Sequence, residues 1–354
     1  MELGMEWNVK MPEQTQSWER VDDIDTLLQD TSEQFRGLQL IHTVKPFIVL
    51  WYTIVVVVGI MGNLLLIIVI CRVKKMHNVT NLLIGNLAVS DLLMCATCVP
   101  LTLAYIFNPR GWVFGRFTCY FVFFMQPVSV YVSIFTLTII AVDRFIVAMY
   151  PLQKRIVLPM CGGVLAAIWL SSCGIATPAL MHTYHFHLDH GNITICEEFW
   201  INMEGERMIY AYSMLLLTFV LPLITISLFY LKIFAKLKKR IIPGTATKNQ
   251  VEKDRTRHHK TFCMMVLVVM VFGLCWFPLN VFNILRDIDI DLIDTRFFNL
   301  VQLLCHWVAM SSACYNPFIY AWLHNRFQAE LKKMFMCRPK IEPSNDVLMV
   351  IMAV

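Results

Sequence analysis

The chain has 354 residues, of which 57% are hydrophobic and only 16% are charged, and its formal net charge is +5. Its mean hydropathy of +0.60 lies far above the range of soluble globular proteins. The composition therefore excludes a soluble globular chain and predicts an integral membrane protein.

Long apolar stretches divide the sequence, and each is long enough to cross about 30 Å of hydrocarbon as a helix. No short repeat and no second soluble domain is visible between them. We therefore predict an all-α membrane protein with a seven-transmembrane helix bundle over residues 46–323. The stretches lie at approximately 46–71, 79–107, 116–150, 156–181, 207–237, 261–286 and 296–323.

The orientation of the bundle follows from its charged loops. Lys and Arg are concentrated after the first, third, fifth and seventh stretches, which predicts that these loops are cytoplasmic. The opposite loops are mostly acidic, so the N terminus is expected outside the cell. Residues 1–45 are polar and acidic without clear periodicity, and we interpret them as an irregular extracellular N-terminal tail. No cleavable signal peptide is recognisable, so the first span is expected to direct membrane insertion.

The sequence after the seventh stretch predicts a shorter helix of a different kind. Within residues 324–337, Phe327, Leu331 and either Met334 or Phe335 fall on one helical face, with Lys and Arg opposite. This pattern is typical of an amphipathic cytoplasmic helix that lies on the inner leaflet. Cys337 at the end of this helix is a candidate for palmitoylation.

Most of the 12 cysteines lie within the spans and are interpreted as small buried hydrophobic residues. Two others stand on the extracellular side, Cys119 at the outer end of the third span and Cys196 in the loop before the fifth. Because this side is oxidising, we predict a disulfide that ties the loop to the third helix. Asn192 in the same loop begins an Asn-Ile-Thr sequon and is a candidate for N-glycosylation.

Distinctive polar residues and prolines occur in the spans, one group to each helix, and polar groups are costly in lipid. They are Asn63, Asp91, Asp143-Arg144, Trp169, Pro222, CWFP at 275–278 and NPFIY at 316–320. Together these groups resemble the rhodopsin-like (class A) family of G-protein-coupled receptors, and the resemblance extends over about residues 46–337.

The resemblance implies a receptor that activates heterotrimeric G proteins, through Gq and/or Gi, and that is recognised by arrestin and a receptor kinase. It implies no enzymatic activity, and the spans show neither an HExxH motif nor a facing pair of aspartates. A multi-span transporter is the remote alternative, but the inverted repeats typical of that class are not visible. Residues 338–354 are predicted to form a cytoplasmic C-terminal tail, with Val354 as a candidate contact for a PDZ domain.

Asp143 and Arg144, followed by Phe145, resemble the Asp-Arg-Tyr motif of the family, in which the carboxylate holds the arginine in the resting receptor. Arg144 is therefore expected to meet the G protein after its release. Phe145 replaces the tyrosine of the motif but leaves the charged pair intact. A pair that only anchors the helix end is the alternative. By the same resemblance, the activation switch comprises Asp143, Arg144, Tyr230, Trp276, Pro278, Asn316, Pro317 and Tyr320.

Four further residues, Asp91, Ser133, Ser312 and Asn316, resemble the family's sodium site, where the ion favours the inactive receptor. The alternative is that Asp91 is a neutral carboxyl group held by hydrogen bonds. Apart from this allosteric sodium ion, no metal and no cofactor is expected.

Two positions disfavour familiar ligand classes of the family. Gln126 stands where amine receptors carry an aspartate, and Met310 stands where opsins carry the lysine that binds retinal. The outer loops are acidic, which favours a cationic ligand that is steered to the bundle electrostatically. An acidic surface without any ligand role is the alternative.

A closer resemblance is carried by longer stretches, including HNVTNLLIGNLAVSDLL, NPRGWVFG and CEEFW. They resemble the neuropeptide Y receptor-like group and, within it, receptors for prolactin-releasing peptide. This implies a peptide ligand that ends in Arg-Phe-amide, with its arginine held by Glu198 and Asp287 through charge-assisted hydrogen bonds. A neuropeptide Y-like amidated peptide is the alternative. The predicted peptide site comprises Gln126, Glu198, Trp200, Tyr210, Trp276, Asn283, Asp287, Gln302 and His306.

Overall fold

The computed structural model describes residues 21–150, 158–188, 193–239, 248–288, 294–323 and 325–335. Three predicted sites, at Asn192, Cys337 and Val354, lie outside the described residues. Within the described ranges, seven helical stretches are long and apolar enough to cross a membrane, which confirms the predicted bundle. They run over Thr43–Arg72, Val79–Phe107, Arg116–Met149, Pro159–Met181, Glu204–Lys236, Val266–Ile288 and Phe297–Trp322.

The helices that contain these stretches extend beyond them at several ends. The first helix begins at Val21, so part of the segment that we expected to be an irregular tail is helical. Its sequence contains no proline before Pro46, and nothing in it stops a helix. In chain order the helices are α1 (Val21–Arg72), α2 (Val79–Leu93, Met94–Cys98 and Val99–Phe107), α3 (Arg116–Met149), α4 (Leu158–Met181), α5 (Glu204–Leu215, Leu216–Val220 and Leu221–Lys239), α6 (Lys248–Ile288) and α7 (Thr295–Leu323).

Two helices, α2 and α5, contain a π-helical turn next to a proline. The turn Met94–Cys98 precedes Pro100, and the turn Leu216–Val220 precedes Pro222. A proline has no backbone N–H and its ring crowds the preceding turn, so a wider turn there relieves the conflict.

The helix α3 lies at the centre of the bundle, where it packs against α2, α4 and α5, while α7 packs against α1 and α6. The helices α1 and α7 approach closely at Gly62, where an added Cβ atom would lie 2.9 Å from Cγ of Pro317. Small residues allow such close helix contacts in lipid, where van der Waals packing drives association.

A β-hairpin covers the extracellular end of the bundle. Its strands, β1 (Thr183–Leu188) and β2 (Ile193–Glu198), are antiparallel, with Thr183 opposite Glu198. Cys196 in β2 forms a disulfide with Cys119 in α3, which confirms that prediction. On the other edge of β2, the amide of Trp112 donates to the Thr194 carbonyl at 2.8 Å. The hairpin is therefore fixed both to α3 and to the loop between α2 and α3.

A short helix, α8 (Asn325–Phe335), follows α7 at the position predicted for the amphipathic helix. Phe327 is 2% exposed and, together with Leu331, packs against the hydrophobic core of the bundle. Lys332, Lys333 and Met334 are exposed. The position of α8 on a membrane surface stays a prediction.

Candidate functional site

A cavity of about 180 Å³ lies between α3, α5 and α6, beneath the extracellular hairpin. Its walls combine aromatic rings with carboxylate, guanidinium and amide groups. Five of the nine residues predicted to bind a peptide line this cavity. They are Glu198, Tyr210, Trp276, Asn283 and Asp287.

Trp276 separates this cavity from a smaller one of about 10 Å³ deeper in the bundle, and it lines both. Its ring stacks on Phe272 with 5.8 Å between the ring centroids. Its indole N–H donates to the hydroxyl of Ser312 in α7 at 3.2 Å. Trp276 therefore connects the outer cavity to α7 through a direct hydrogen bond.

Glu198 faces the cavity from the end of β2, and a neighbouring aromatic residue orients its carboxylate. The indole N–H of Trp200 donates to Oε1 of Glu198 at 2.5 Å. Trp200 itself stacks on His182, with 3.7 Å between the ring centroids, and lies 5.5 Å from the ring of Tyr210. Trp200 is absent from the residues that line the cavity, so its described role is to hold Glu198.

The adjacent acid, Glu197, points to a different part of the molecule. It is buried, and its Oε1 accepts a hydrogen bond from the Tyr105 hydroxyl of α2 at 3.1 Å. Successive residues of a strand point to opposite faces, so only one of the two acids can enter the cavity.

Asp287, the second predicted acid, is paired with two arginines. Arg207 Nη1 of α5 and Arg286 Nη2 of α6 each lie 3.2 Å from the same oxygen, Oδ1 of Asp287. The Asp287 side chain is only 3% exposed. Sequence reasoning missed both arginines because it counted the acids of the outer loops and did not consider cations at the neighbouring helix ends. The cavity wall therefore carries charges of both signs.

Tyr131 was also missed, although it lies in the cavity wall on α3. The hydroxyl of Tyr210, in the same cavity wall, donates to the Ile175 carbonyl at 3.1 Å. Pro127 and Tyr131 are four residues apart in a helix and both line the cavity. The i, i+4 spacing from Pro127 was the available signal for this residue.

Gln126, Gln302 and His306 are buried but do not line the cavity. The Tyr52 hydroxyl lies 2.9 Å from His306 Nδ1 and 2.9 Å from the Leu303 carbonyl, to which it donates. His306 Nδ1–H then donates to the Tyr52 oxygen, which leaves Nε2 to accept from the Gln126 amide at 3.2 Å. These contacts link α1, α3 and α7. Direct contact of these residues with a peptide stays a prediction.

The four residues predicted to bind sodium lie together around the smaller cavity. Asn316 Nδ2 donates to one Asp91 oxygen at 2.7 Å, and the Ser133 hydroxyl donates to the other at 3.3 Å. Ser312 completes the group. Carboxylate, hydroxyl and amide oxygens are the ligands that hard cations prefer, so the donor set fits this ion. These hydrogen bonds also satisfy a neutral carboxyl, so both interpretations stay open.

At the cytoplasmic end, Arg144 Nη2 lies 3.5 Å from Asp143 Oδ2, so the predicted pair is formed in the described structure. Phe145 stacks on Phe229 of α5 with 4.6 Å between the ring centroids. The replacement of tyrosine by phenylalanine therefore gives an apolar contact between α3 and α5. Tyr230 and Tyr320 are both buried in the bundle nearby.

Comparison with known proteins agrees with the family resemblance of the sequence motifs. The family model of the 7 transmembrane receptor (rhodopsin family) matches residues 62–320. The neuropeptide Y receptor type 2 of Homo sapiens is 32% identical over 336 residues, covering 94% of this chain and 85% of that receptor. The same receptor of Gallus gallus is 33% identical over 325 residues, with 90% and 83% coverage. That of Cavia porcellus is 34% identical over 304 residues, with 84% and 78% coverage.

Proposed function

Because the chain belongs to the rhodopsin family of seven-transmembrane receptors, we propose that it is activated by a C-terminally amidated neuropeptide with an arginine near its C terminus. The protein is a multi-pass receptor of the plasma membrane that signals through G proteins, and it is not an enzyme. The peptide's identity is the part of this function that we infer.

The observation that carries the proposal is the position of two carboxylates around one aromatic cavity. Glu198 enters from the hairpin and Asp287 from the end of α6. A peptide arginine between them can form charge-assisted hydrogen bonds, which are stronger than hydrogen bonds between neutral groups. The rings of Tyr131, Tyr210 and Trp276 suit the aromatic residue and the flat guanidinium. A terminal amide carries no charge, so it needs no cationic partner.

Two classes of peptide are candidate ligands for this site. The similarity of the extracellular stretches supports an Arg-Phe-amide peptide such as prolactin-releasing peptide. The curated relatives, which are neuropeptide Y receptors of type 2, favour a neuropeptide Y-like amidated peptide. Their identities of 32–34% support the shared receptor class more strongly than one ligand. We therefore place the neuropeptide Y-like peptide first and keep the Arg-Phe-amide peptide as the second candidate.

A direct comparison of the two classes tests the proposal. Cells that express the full chain are treated with both peptides, each as the amide and as the free acid, while calcium and cyclic AMP are recorded. We expect a saturable response to at least one amide and a weaker response to its free acid. Absence of any response from receptor that reaches the cell surface would contradict the proposal. Solute uptake measured in the same cells tests the transporter alternative.

The cytoplasmic and deep sites complete the proposal. Arg144 is the contact for the G protein once its pair with Asp143 opens, and Gq and Gi are the expected subtypes. Asp91 and its neighbours hold a sodium ion that stabilises the inactive receptor. Arrestin and a receptor kinase are expected to bind the active receptor.

A further inference from the structure

Arg207 occupies the place beside Asp287 that the proposed ligand arginine would need. Its Nη1 atom lies 3.2 Å from Asp287 Oδ1, and Arg286 reaches the same oxygen at 3.2 Å. Because the carboxylate is 97% covered, as its 3% exposure implies, little of its surface is open to a third guanidinium. A ligand cation can therefore pair with Asp287 only if one of the two arginines moves away.

The two arginines differ in how well their own helices tolerate them. Arg286 lies in the last turn of α6, where the negative end of the helix dipole favours a cation. Arg207 lies in the first turn of α5, where the positive end of the dipole disfavours a cation and only Glu204 and Glu206 offset this effect within the same turn. Asp287 compensates for this position from the neighbouring helix. Arg207 is therefore the more easily displaced partner of Asp287.

The exposure of the two side chains supports the same order. The Arg207 side chain is 26% exposed, whereas that of Arg286 is 14% exposed. Arg207 also lies in the cavity wall together with Glu198, so a second carboxylate is present in the same cavity when Arg207 leaves Asp287. Because 26% of its side chain is already exposed, a displaced Arg207 can turn to solvent.

We infer that Arg207 sets the affinity for cationic peptides by holding Asp287 in the empty receptor, so that a ligand guanidinium binds by exchange with the guanidinium of Arg207. This inference rests on the proposed function. In the exchange Arg286 stays in place, and Asp287 has two cationic partners both before and after binding. A neutral ligand does not compete for the carboxylate, so the ion pair lowers the affinity of cationic peptides only. The apparent affinity for a cationic peptide equals its intrinsic affinity multiplied by the fraction of receptors in which Arg207 has left Asp287.

The test compares two amidated peptides that differ in one charge. One is whichever of the two candidate amidated peptides gives the stronger response on wild type, and the other carries citrulline, an uncharged analogue of similar shape, in place of the arginine near its C terminus. Both are applied to wild type, Arg207→Met and Arg207→Lys, with surface receptor counted by an epitope label. Arg116→Met is the matched control, because Arg116 is an exposed cation at the same outer end of the bundle and contacts Tyr120 rather than Asp287.

We expect Arg207→Met to lower the half-maximal concentration of the arginine peptide by about three- to tenfold and to leave the citrulline peptide unchanged. Arg207→Lys keeps the charge and is expected to stay close to wild type. Arg116→Met removes one distant charge, so it should change the half-maximal concentration of either peptide only slightly. The double variant with Asp287→Asn should lose the gain, because the carboxylate for which the two cations compete is missing.

Two failures can be told apart in this experiment. The exchange is overturned if Arg207→Met weakens both peptides. It is also overturned if Arg207→Met changes the ratio of their half-maximal concentrations no more than Arg116→Met does. In both cases wild type can still prefer the arginine peptide, so the proposed function stands. If wild type responds equally to arginine and citrulline, the proposed function fails and the exchange fails with it. If Arg207→Met does not reach the cell surface, Arg207→Gln replaces it, and the same ratio of half-maximal concentrations is measured.

Discussion

The indole nitrogen of Trp276 and the hydroxyl of Ser312 are joined by a 3.2 Å hydrogen bond between α6 and α7. This bond lies where the outer cavity and the Asp91 cluster share a wall. A ligand that moves Trp276 must therefore change a direct contact with α7. The described structure provides in this way a physical route from the outer cavity to the deep polar cluster.

We predict that Trp276→Phe and Ser312→Ala alter basal signalling in the same direction and by a similar amount. Each variant removes one partner of the same hydrogen bond, which contributes about 1 kcal/mol, or about a fivefold change in an equilibrium between two states. The double variant should equal either single variant. Cyclic AMP measured without peptide gives the result, and full additivity would show that the bond does not couple the helices.

Arg144→Ala is predicted to abolish G-protein signalling while surface expression and most of the peptide binding remain. Arg144 lies at the cytoplasmic end of α3, far from the outer cavity, and its partner in the described structure is Asp143 at 3.5 Å. Calcium and cyclic AMP report signalling, and a labelled peptide reports binding. Arg72→Ala is a suitable control, because Arg72 is an exposed cytoplasmic cation at the end of α1. Full signalling by Arg144→Ala would remove the proposed role.

The disulfide between Cys119 and Cys196 should be required for peptide response. It closes a sequence separation of 77 residues and fixes the strand that carries Glu198. In the chain-entropy model, a loop of this size contributes about 4 kcal/mol to stability. We therefore expect Cys119→Ala/Cys196→Ala to reduce surface expression, and the remaining surface receptor to respond only at higher peptide concentration. Cys71→Ala, which removes an exposed free thiol, serves as the control. Mass spectrometry that finds both thiols free in wild type would contradict the premise.

The spans and motif positions were predictable because they depend on local sequence. A run of apolar residues must form a helix in lipid, and a proline or an Asp within it is visible without any partner. The pair of Asp143 and Arg144 is adjacent in sequence, and its contact needs no knowledge of the fold. The cysteine pair required only the knowledge of which loops face outside.

The contacts between helices were less predictable because they join distant residues. Arg207 and Asp287 are 80 residues apart, and the loops between them give no sign that the two helix ends meet. Tyr52 and His306 are also distant in sequence. Their contact is part of a buried network, and His306 does not line the cavity. The start of α1 at Val21 was missed because its polar residues lack the apolar period on which the prediction relied.

Asp287→Ala or Glu198→Ala should weaken a peptide that carries the penultimate arginine but should hardly affect the same peptide with alanine there. A charge-assisted hydrogen bond in a partly buried site contributes about 1–3 kcal/mol, which corresponds to a loss of several-fold to about a hundredfold in potency. General electrostatic steering would act on both peptides and would decrease with added salt. Glu206→Ala, an exposed acid of the same surface, is the control. Equal losses for both peptides would show that these carboxylates shape the site without binding the arginine.

The last prediction concerns sodium at the Asp91 cluster. If Asp91 is ionised and holds the ion with Ser133, Ser312 and Asn316, replacing sodium by a large organic cation should raise agonist affinity in wild type. The ion favours the inactive arrangement, so its removal shifts the population towards the state that binds agonist. Asp91→Asn keeps the size of the side chain and one of its two accepting oxygens but removes the charge that attracts the cation. Its agonist affinity should therefore be independent of sodium.

The cavity beside Asp91 is small, which limits how a sodium ion could be held there. A volume of about 10 Å³ is close to that of one water-sized particle, so a sodium ion there would be held mainly by the oxygens of Asp91, Ser133, Ser312 and Asn316. Ser133→Ala should then weaken the sodium effect without abolishing it, since the carboxylate remains. Ser129→Ala, one turn away on α3 and bonded to its own helix at Met125, should leave the effect intact. A wild type whose agonist affinity is the same with either cation would support the neutral, hydrogen-bonded carboxyl, because a protonated Asp91 offers no charge to an ion.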